Sequence, residues 1–162
     1  MLTHEQLTIL AAAIAAETDP DFVEYRTQGA TGAMADFYSA AHPTFIVWRT
    51  SVTQDEIMQN GFDWTRVDNL ANGPARIWEW MFNNQVRAIN PSKLNVRDGI
   101  EAVWKGTAAD LAVRAAVYVH CKRNATKGEA LFATGTGTTA SPGALTFEGY
   151  ISNGDIVAAI NL

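Results

Sequence analysis

The side chains able to hold a metal ion or attack a substrate are few: His4, His42, His120 and a single cysteine, Cys121. No histidine falls in an HExxH pattern or at a spacing that sets two ligands on adjacent helical turns. His120 and Cys121 are neighbours, and neighbours on a helix diverge by about 100°, so the two do not face one metal. Cys121 follows Leu111 and Val117 in an apolar run, where a packed thiol is the default state. No GxSxG elbow offers an activated serine. Gly135-Thr136-Gly137 follows a helical pattern, precedes a strand pattern, and has no lysine after it. A phosphate loop instead runs into a helix that opens with Lys-Ser/Thr, so Gly135 is expected only to end a helix. Asp19/Asp21 and Asp55/Glu56 stand at expected helix starts, where the positive end of the dipole favours them. Arg114, Lys122, Arg123 and Lys127 are expected along one helix as a solvated basic group, with passive contact to DNA in a channel as the alternative. These residues predict no catalytic set, no metal site and no cofactor.

The elements that would position them start with Thr3 and Gln6, a capping box opening an amphipathic helix with Leu7, Leu10 and Ile14 on one face. The apolar run 9–16 is far shorter than the ~20 residues that span a bilayer, and no Lys or Arg precedes it. A cytosolically made chain is the expectation, with no membrane contact. Asp19-Pro20 restarts a helix that Gly29 ends, with Phe22 inward. A third helix is expected over 31–41, burying Met34, Phe37, Tyr38 and Ala41 and ending at His42-Pro43. Thr53/Glu56 caps a short helix, 62–71 is irregular but packed, and the most apolar helix runs 75–89 through Trp78, Trp80 and Val86. Trp78 and Trp80 lie about 200° apart on a helix, so either that helix is covered on two sides or one tryptophan faces a partner chain. Asn95/Asp98 is expected to cap the next helix, and Thr107/Asp110 a long one over 108–133 in which Gly128 costs about 1 kcal/mol and leaves a break near 124–128 open. Ser152/Asp155 caps a short final helix.

Two strands stand out, 44–52 (TFIVWRTSV) and 144–151 (around LTFEGY). With no other strand to pair with, residues 45–52 and 145–151 are expected to form a two-stranded ribbon lying on helices, since such a ribbon is marginal alone. The expected fold is mainly α: a single-domain helical bundle over 1–162 with that ribbon and a short C-terminal helix. A chain of 162 residues fits one domain, and 48% hydrophobic against 18% charged residues describes a globular, lightly charged protein. One cysteine excludes an internal disulfide framework, and a net charge of −5 without a basic stripe argues against broad binding of duplex phosphate.

Five tryptophans and seven phenylalanines are more large apolar surface than a small monomer usually needs, and tryptophan is enriched at interface hot spots. The segments TFIVWRTSVTQDEI, NPSKLNVRDGIEAVW and RNATKGEALFATGTGTTASPGALTFEGYISNGDIVAA make the chain, from about residue 40 onward, similar to a family of small proteins encoded in tailed-bacteriophage and prophage genomes. The resemblance implies a structural or morphogenetic place in the virion, and it supplies no catalytic residues. The expected function is an oligomeric head–tail connector (adaptor) or tail component. Its partners would be other copies of itself in a ring and the portal or tail proteins, with an acidic surface that lets DNA slide past. The expected contact residues are Trp48, Arg49, Trp80, Thr136, Thr138 and Phe147, with 134–143 as an extending loop. A capsid decoration or cementing protein is one alternative. A small phage-encoded enzyme or host-takeover regulator, which would need a pocket of convergent polar groups, is another.

Overall fold

The computed structural model describes residues 1–59, 61–85 and 87–162. In chain order the first elements are α1 (His4–Ala16), α2 (Pro20–Gln28), α3 (Thr31–Ser39), β1 (Ala41–Trp48) and β2 (Val52–Thr53). Next come α4 (Gln54–Ile57), α5 (Thr65–Asp68), α6 (Asn72–Phe82), β3 (Ala88–Ile89) and α7 (Leu94–Val103). The last are α8 (Ala108–His120), β4 (Lys122–Thr126), α9 (Lys127–Phe132) and α10 (Asn153–Ile160). The protein is 54% helical, well above the usual third, with small two-stranded sheets, so it is mainly α with a small β-ribbon. Among the described residues no helix is long and apolar enough to cross a membrane.

The chain forms two compact units. Unit 1 is Met1–Val47 with Asn124–Leu162; unit 2 is Trp48–Arg123. In unit 1, α1 packs on α10, and α3 packs on α2, α9 and α10. Leu10, Ile14, Phe22, Met34, Tyr38, Phe132, Ile151 and Ile156 form its core. In unit 2, α6 packs on α7 and α4 on α8 around Ile57, Trp78, Ile100, Trp104, Val113 and Val117.

Helix starts follow local chemistry. Thr3, Thr53, Thr107 and Ser152 each accept the N3 amide while the N3 side chain returns to the cap amide, as their spacing predicts. Asp19 takes the amides of Asp21 and Phe22, and Gly29 closes α2 at φ 65°. Asn95 does not cap α7. An Asx turn, Ser92 N–H to Asn90 Oδ1 at 3.1 Å, brings the chain into helix earlier, so Lys93 is the cap and Asn95 lies in the first turn.

The expected ribbon is corrected in its partner. β1 occupies 41–48, not 45–52, and pairs with β4, while β2 pairs antiparallel with β3 through Val52–Ile89 and Thr53–Ala88. Residues 145–151 form no strand. Their burial still alternates, with Phe147 and Ile151 turned inward, but their backbone bonds go elsewhere: the Gly149 amide donates to Glu129 Oε1 at 3.1 Å, at a φ of 132°. Bridges at Val47–Gly143 and Thr134–Ala144 are all that this part of the chain adds in strand pairing among the described residues.

Three of the expected helices are cut short. α6 ends at Phe82, where Asn83 leaves helical geometry, and Ile89 lies in β3 instead; Val86, placed in that helix from sequence, lies outside the described residues. The pattern over 108–133 is α8, then β4, then α9. The break falls at Cys121, and Thr126 opens α9 by a fifth capping box with Glu129. Arg114, Lys122, Arg123 and Lys127 therefore sit on three elements, not one helix. α3 likewise stops at Ser39, so Ala41 is exposed in β1 and His42-Pro43 belongs to the strand.

Two of these caps set an acid limit. Glu56 is held down to about 2, first by the Thr53 amide and then by the Arg49 guanidinium; Asp110 is held to about 2 by the Thr107 amide and then Arg66. Both pKa values are depressed in the folded state, so the unfolded chain binds protons that the folded chain refuses. Their contribution is whole above about pH 5 and is lost as pH falls towards 2. Thermal melts should be flat from pH 7 to 5 and fall below it, and Glu56→Gln with Asp110→Asn should lower the plateau and flatten the fall.

Candidate functional site

Unit 2 binds the first two expected contact residues into itself. Trp48, at the end of β1, is half-buried: the Arg97 guanidinium lies 4.9 Å from its ring centre, Lys122 Nζ lies 5.1 Å away, and Tyr118 meets it edge-on at 5.4 Å. Arg97 is in turn fixed by the carbonyls of Pro91 and Ser92 at 2.7 and 2.8 Å. Two cations on one indole are favourable because each is drawn to the ring's negative face, and their mutual repulsion is screened at a half-open site. Burial pushes the pKa of Lys122 below its ordinary value. Arg49 donates to the His120 carbonyl at 3.1 Å and to Glu56 at 2.7 Å, so it ties α4's cap to the end of α8.

Cys121 follows that helix end and is fully buried. Burial pushes its thiol up to about 12, with Arg49 and Lys122 opposing. A nucleophilic cysteine has the reverse setting, a depressed pKa and access to solvent. Ellman's reagent should leave the native protein unlabelled over minutes and react with one thiol per chain in denaturant.

Trp80 is different. Trp78 is 7% exposed, stacked on Phe62 at 5.8 Å and edge-on to Trp104 at 5.4 Å, while Trp80 on the other side of α6 is 76% exposed. Ile77 and Arg76, three and four residues earlier, share its face and are exposed too. Of the two arrangements the 200° separation allows, α6 adopts the one with a tryptophan in the open.

In unit 1, Thr136 and Thr138 are exposed, yet their loop does not extend. Gly137 O accepts the Ile46 amide at 2.7 Å, the Gly143 amide donates to Ile46 O at 2.8 Å, and Thr136 Oγ1 reaches Ser141 O at 3.1 Å. The glycines permit this close approach: at Gly137, φ 65°, a Cβ would stand 2.4 Å from Phe45 Cδ2 and Cε2. Phe147 is half-buried against Phe132, 5.5 Å away and nearly perpendicular. Of the six expected residues, then, Trp80, Thr136 and Thr138 present themselves to solvent, and Trp48, Arg49 and Phe147 are occupied within their own units.

Unit 1 also holds what the sequence reading missed. A cleft of about 470 Å³ is lined by Glu17, Asp19, Phe37, Tyr38, His42 and Lys127 among others. It adjoins a second of about 350 Å³ to which Asp21, Tyr25 and Asp36 contribute, the two sharing Asp19, Phe37 and Lys127. Lys127 Nζ sits 3.2 Å above the centre of the Phe37 ring. Tyr38 is 4% exposed, its hydroxyl finds no partner among the described residues, and burial aided by Glu17 raises its pKa to about 12. Asp21 and Asp36 are exposed and engage no side chain among the described residues. The cleft can receive a cation beside an aromatic wall. Among the described residues no group of three or more His, Cys, Asp or Glu is placed to hold a metal ion.

Division into units exposes a charge segregation. Unit 1 carries nine acidic and two basic residues, a formal −7; unit 2 carries ten basic and eight acidic residues, a formal +2. The signal was in the sequence, where ten of the twelve basic residues fall between 48 and 123, but its meaning needed the unit boundaries.

Compared with the known protein families, with curated proteins and with solved structures, the chain matches none.

Proposed function

We propose that the protein is a self-associating structural component of a tailed-bacteriophage particle, a head–tail connector or tail subunit that works by binding its neighbours. The observation that carries this reading is Trp80, a large ring open to water on a well-formed helix, with Ile77 and Arg76 on the same face. Tryptophan and arginine are the side chains that most often supply the energy of protein–protein contacts, and an aromatic ring gains most from being covered. The similarity to phage-encoded proteins read in residues 44–57, 90–104 and 123–159 is the ground on which the particle is proposed as the setting.

Four of the groups with shifted pKa values favour binding over chemistry. Cys121 and Tyr38 both hold their protons far above neutral pH, so neither serves as a nucleophile or base there. Glu56 and Asp110 are ionised caps committed to Arg49 and Arg66.

The test is compositional. Quantitative mass spectrometry of purified particles from the phage that encodes the chain should find it at a fixed copy number, and particles assembled without its gene should stall as unjoined heads and tails. Infectious particles that lack the chain would overturn the reading.

A further inference from the structure

We propose that the outward face of α6, made by Arg76, Ile77 and Trp80, docks onto the acidic unit 1 of a second copy of this chain, so that copies join head to tail; the proposal rests on the assembly reading above and names its contact.

Charge favours this pairing. A formal −7 on one unit and +2 on the other attract each other when they belong to different copies, whereas like units repel. A contact that pairs unlike surfaces is heterologous, and a heterologous contact repeated by rotation closes into a ring or runs on as a filament. Self-docking through the same patch on both copies would set two acidic units or two basic ones face to face, which charge opposes.

The local chemistry points the same way. Arg76 is exposed, is in none of the ion pairs found among the described residues, and lies one helical turn from Trp80. The clefts of unit 1 offer what that pair needs: exposed carboxylates at Asp21 and Asp36 beside the rings of Tyr25 and Phe37. Lys127 already covers the Phe37 ring, so an incoming guanidinium would meet the carboxylates on the Tyr25 side of the cleft. Glu79, the only carboxylate of α6, lines a separate cleft with Arg87 and Asn84.

The experiment uses the full chain and two charge-reversed variants, Arg76→Glu and the double variant Asp21→Lys/Asp36→Lys, with Trp80→Ala as a third. All four positions are exposed, and far-UV circular dichroism checks that each variant folds. Sedimentation at low salt should show the wild type associating, more weakly as salt rises. Arg76→Glu, the double variant and Trp80→Ala should each weaken association by about tenfold or more. Mixing Arg76→Glu with the double variant should restore it. Where the two variants alternate, every head-to-tail contact is again between opposite charges, half of them in the native sense and half inverted.

A wild type that associates regardless of salt and of both reversals overturns this surface and leaves the assembly reading standing, as docking through the uncharged residues Ile9, Val157 and Ile160 would produce. Single variants that fail and a mixture that stays apart also overturn it. A wild type that remains monomeric at every concentration and salt overturns both.

Discussion

Trp104→Ala is expected to lower the unfolding free energy by about 3–5 kcal/mol, the range for removing a large buried ring. Trp104 is fully buried at the C-cap of α7 and sits at the centre of unit 2's aromatic cluster. Its ring meets Trp78 edge-on at 5.4 Å and Phe62 at 6.0 Å, and those two stack on each other. Planar rings locked by one another close poorly around a void, so the loss should fall in the upper part of that range. A control separates volume from polarity. The indole Nε1 has no acceptor among the described residues, and a buried donor left unpaired costs about 1–3 kcal/mol. Trp104→Phe gives up part of the ring but also removes that donor, so it should cost about 1 kcal/mol or less. Urea unfolding of the two variants, followed by tryptophan fluorescence and far-UV circular dichroism, measures both. A Trp104→Phe loss as large as that of Trp104→Ala would mean that the specific fit of the indole, and not the buried ring volume, sets the cost.

What could be read from sequence was what residues decide locally. A capping box needs only a hydroxyl and, three residues on, a carboxylate or amide, and Thr3, Thr53, Thr107 and Ser152 cap as their spacing requires. The rotation of 200° that set Trp78 and Trp80 on opposite faces is equally local, and it located the most exposed tryptophan. Pairing is not local. β4, KRNAT, has no apolar alternation and buries only Ala125, so periodicity merges it into the helix before it. The cue that separates them, Thr126 with Glu129, is the same capping signal used elsewhere. Residues 145–151 show the converse: their alternation sets Phe147 and Ile151 on one side, but it says neither that this side packs inward, against the contact role expected of Phe147, nor whether a partner strand exists. Trp48 and Arg49 fail as exposed residues for that reason too. Alternation says which side chains share a face of β1. It cannot say that Arg97, Tyr118 and Lys122, some fifty to seventy residues away, cover Trp48.

Gly128 is where local and tertiary chemistry give opposite signs. Treated as a glycine inside a helix, it should gain about 1 kcal/mol on replacement by alanine. In the structure it is buried in the first turn of α9, and a Cβ there would stand 2.6 Å from Ile151 Cγ1 and 3.3 Å from the Tyr38 carbonyl oxygen. Neither neighbour yields easily. Cγ1 is next to the Cβ branch point of a side chain packed in unit 1's core, and the Tyr38 carbonyl belongs to a helix whose own tyrosine is buried. Overpacking of this kind costs about 1–3 kcal/mol, which outweighs the helix preference, so Gly128→Ala is expected to destabilise and Gly128→Val to do so more strongly. Ile151→Ala, which removes Cγ1, makes room at the cost of a cavity. In the double variant the alanine Cβ meets no Cγ1, so the two losses should add to less than their sum, with a coupling of at least about 0.5 kcal/mol. Chemical unfolding of the two single variants and the double completes the cycle. If Gly128→Ala raises stability instead, α9 has shifted to admit the methyl group and helix propensity governs this turn.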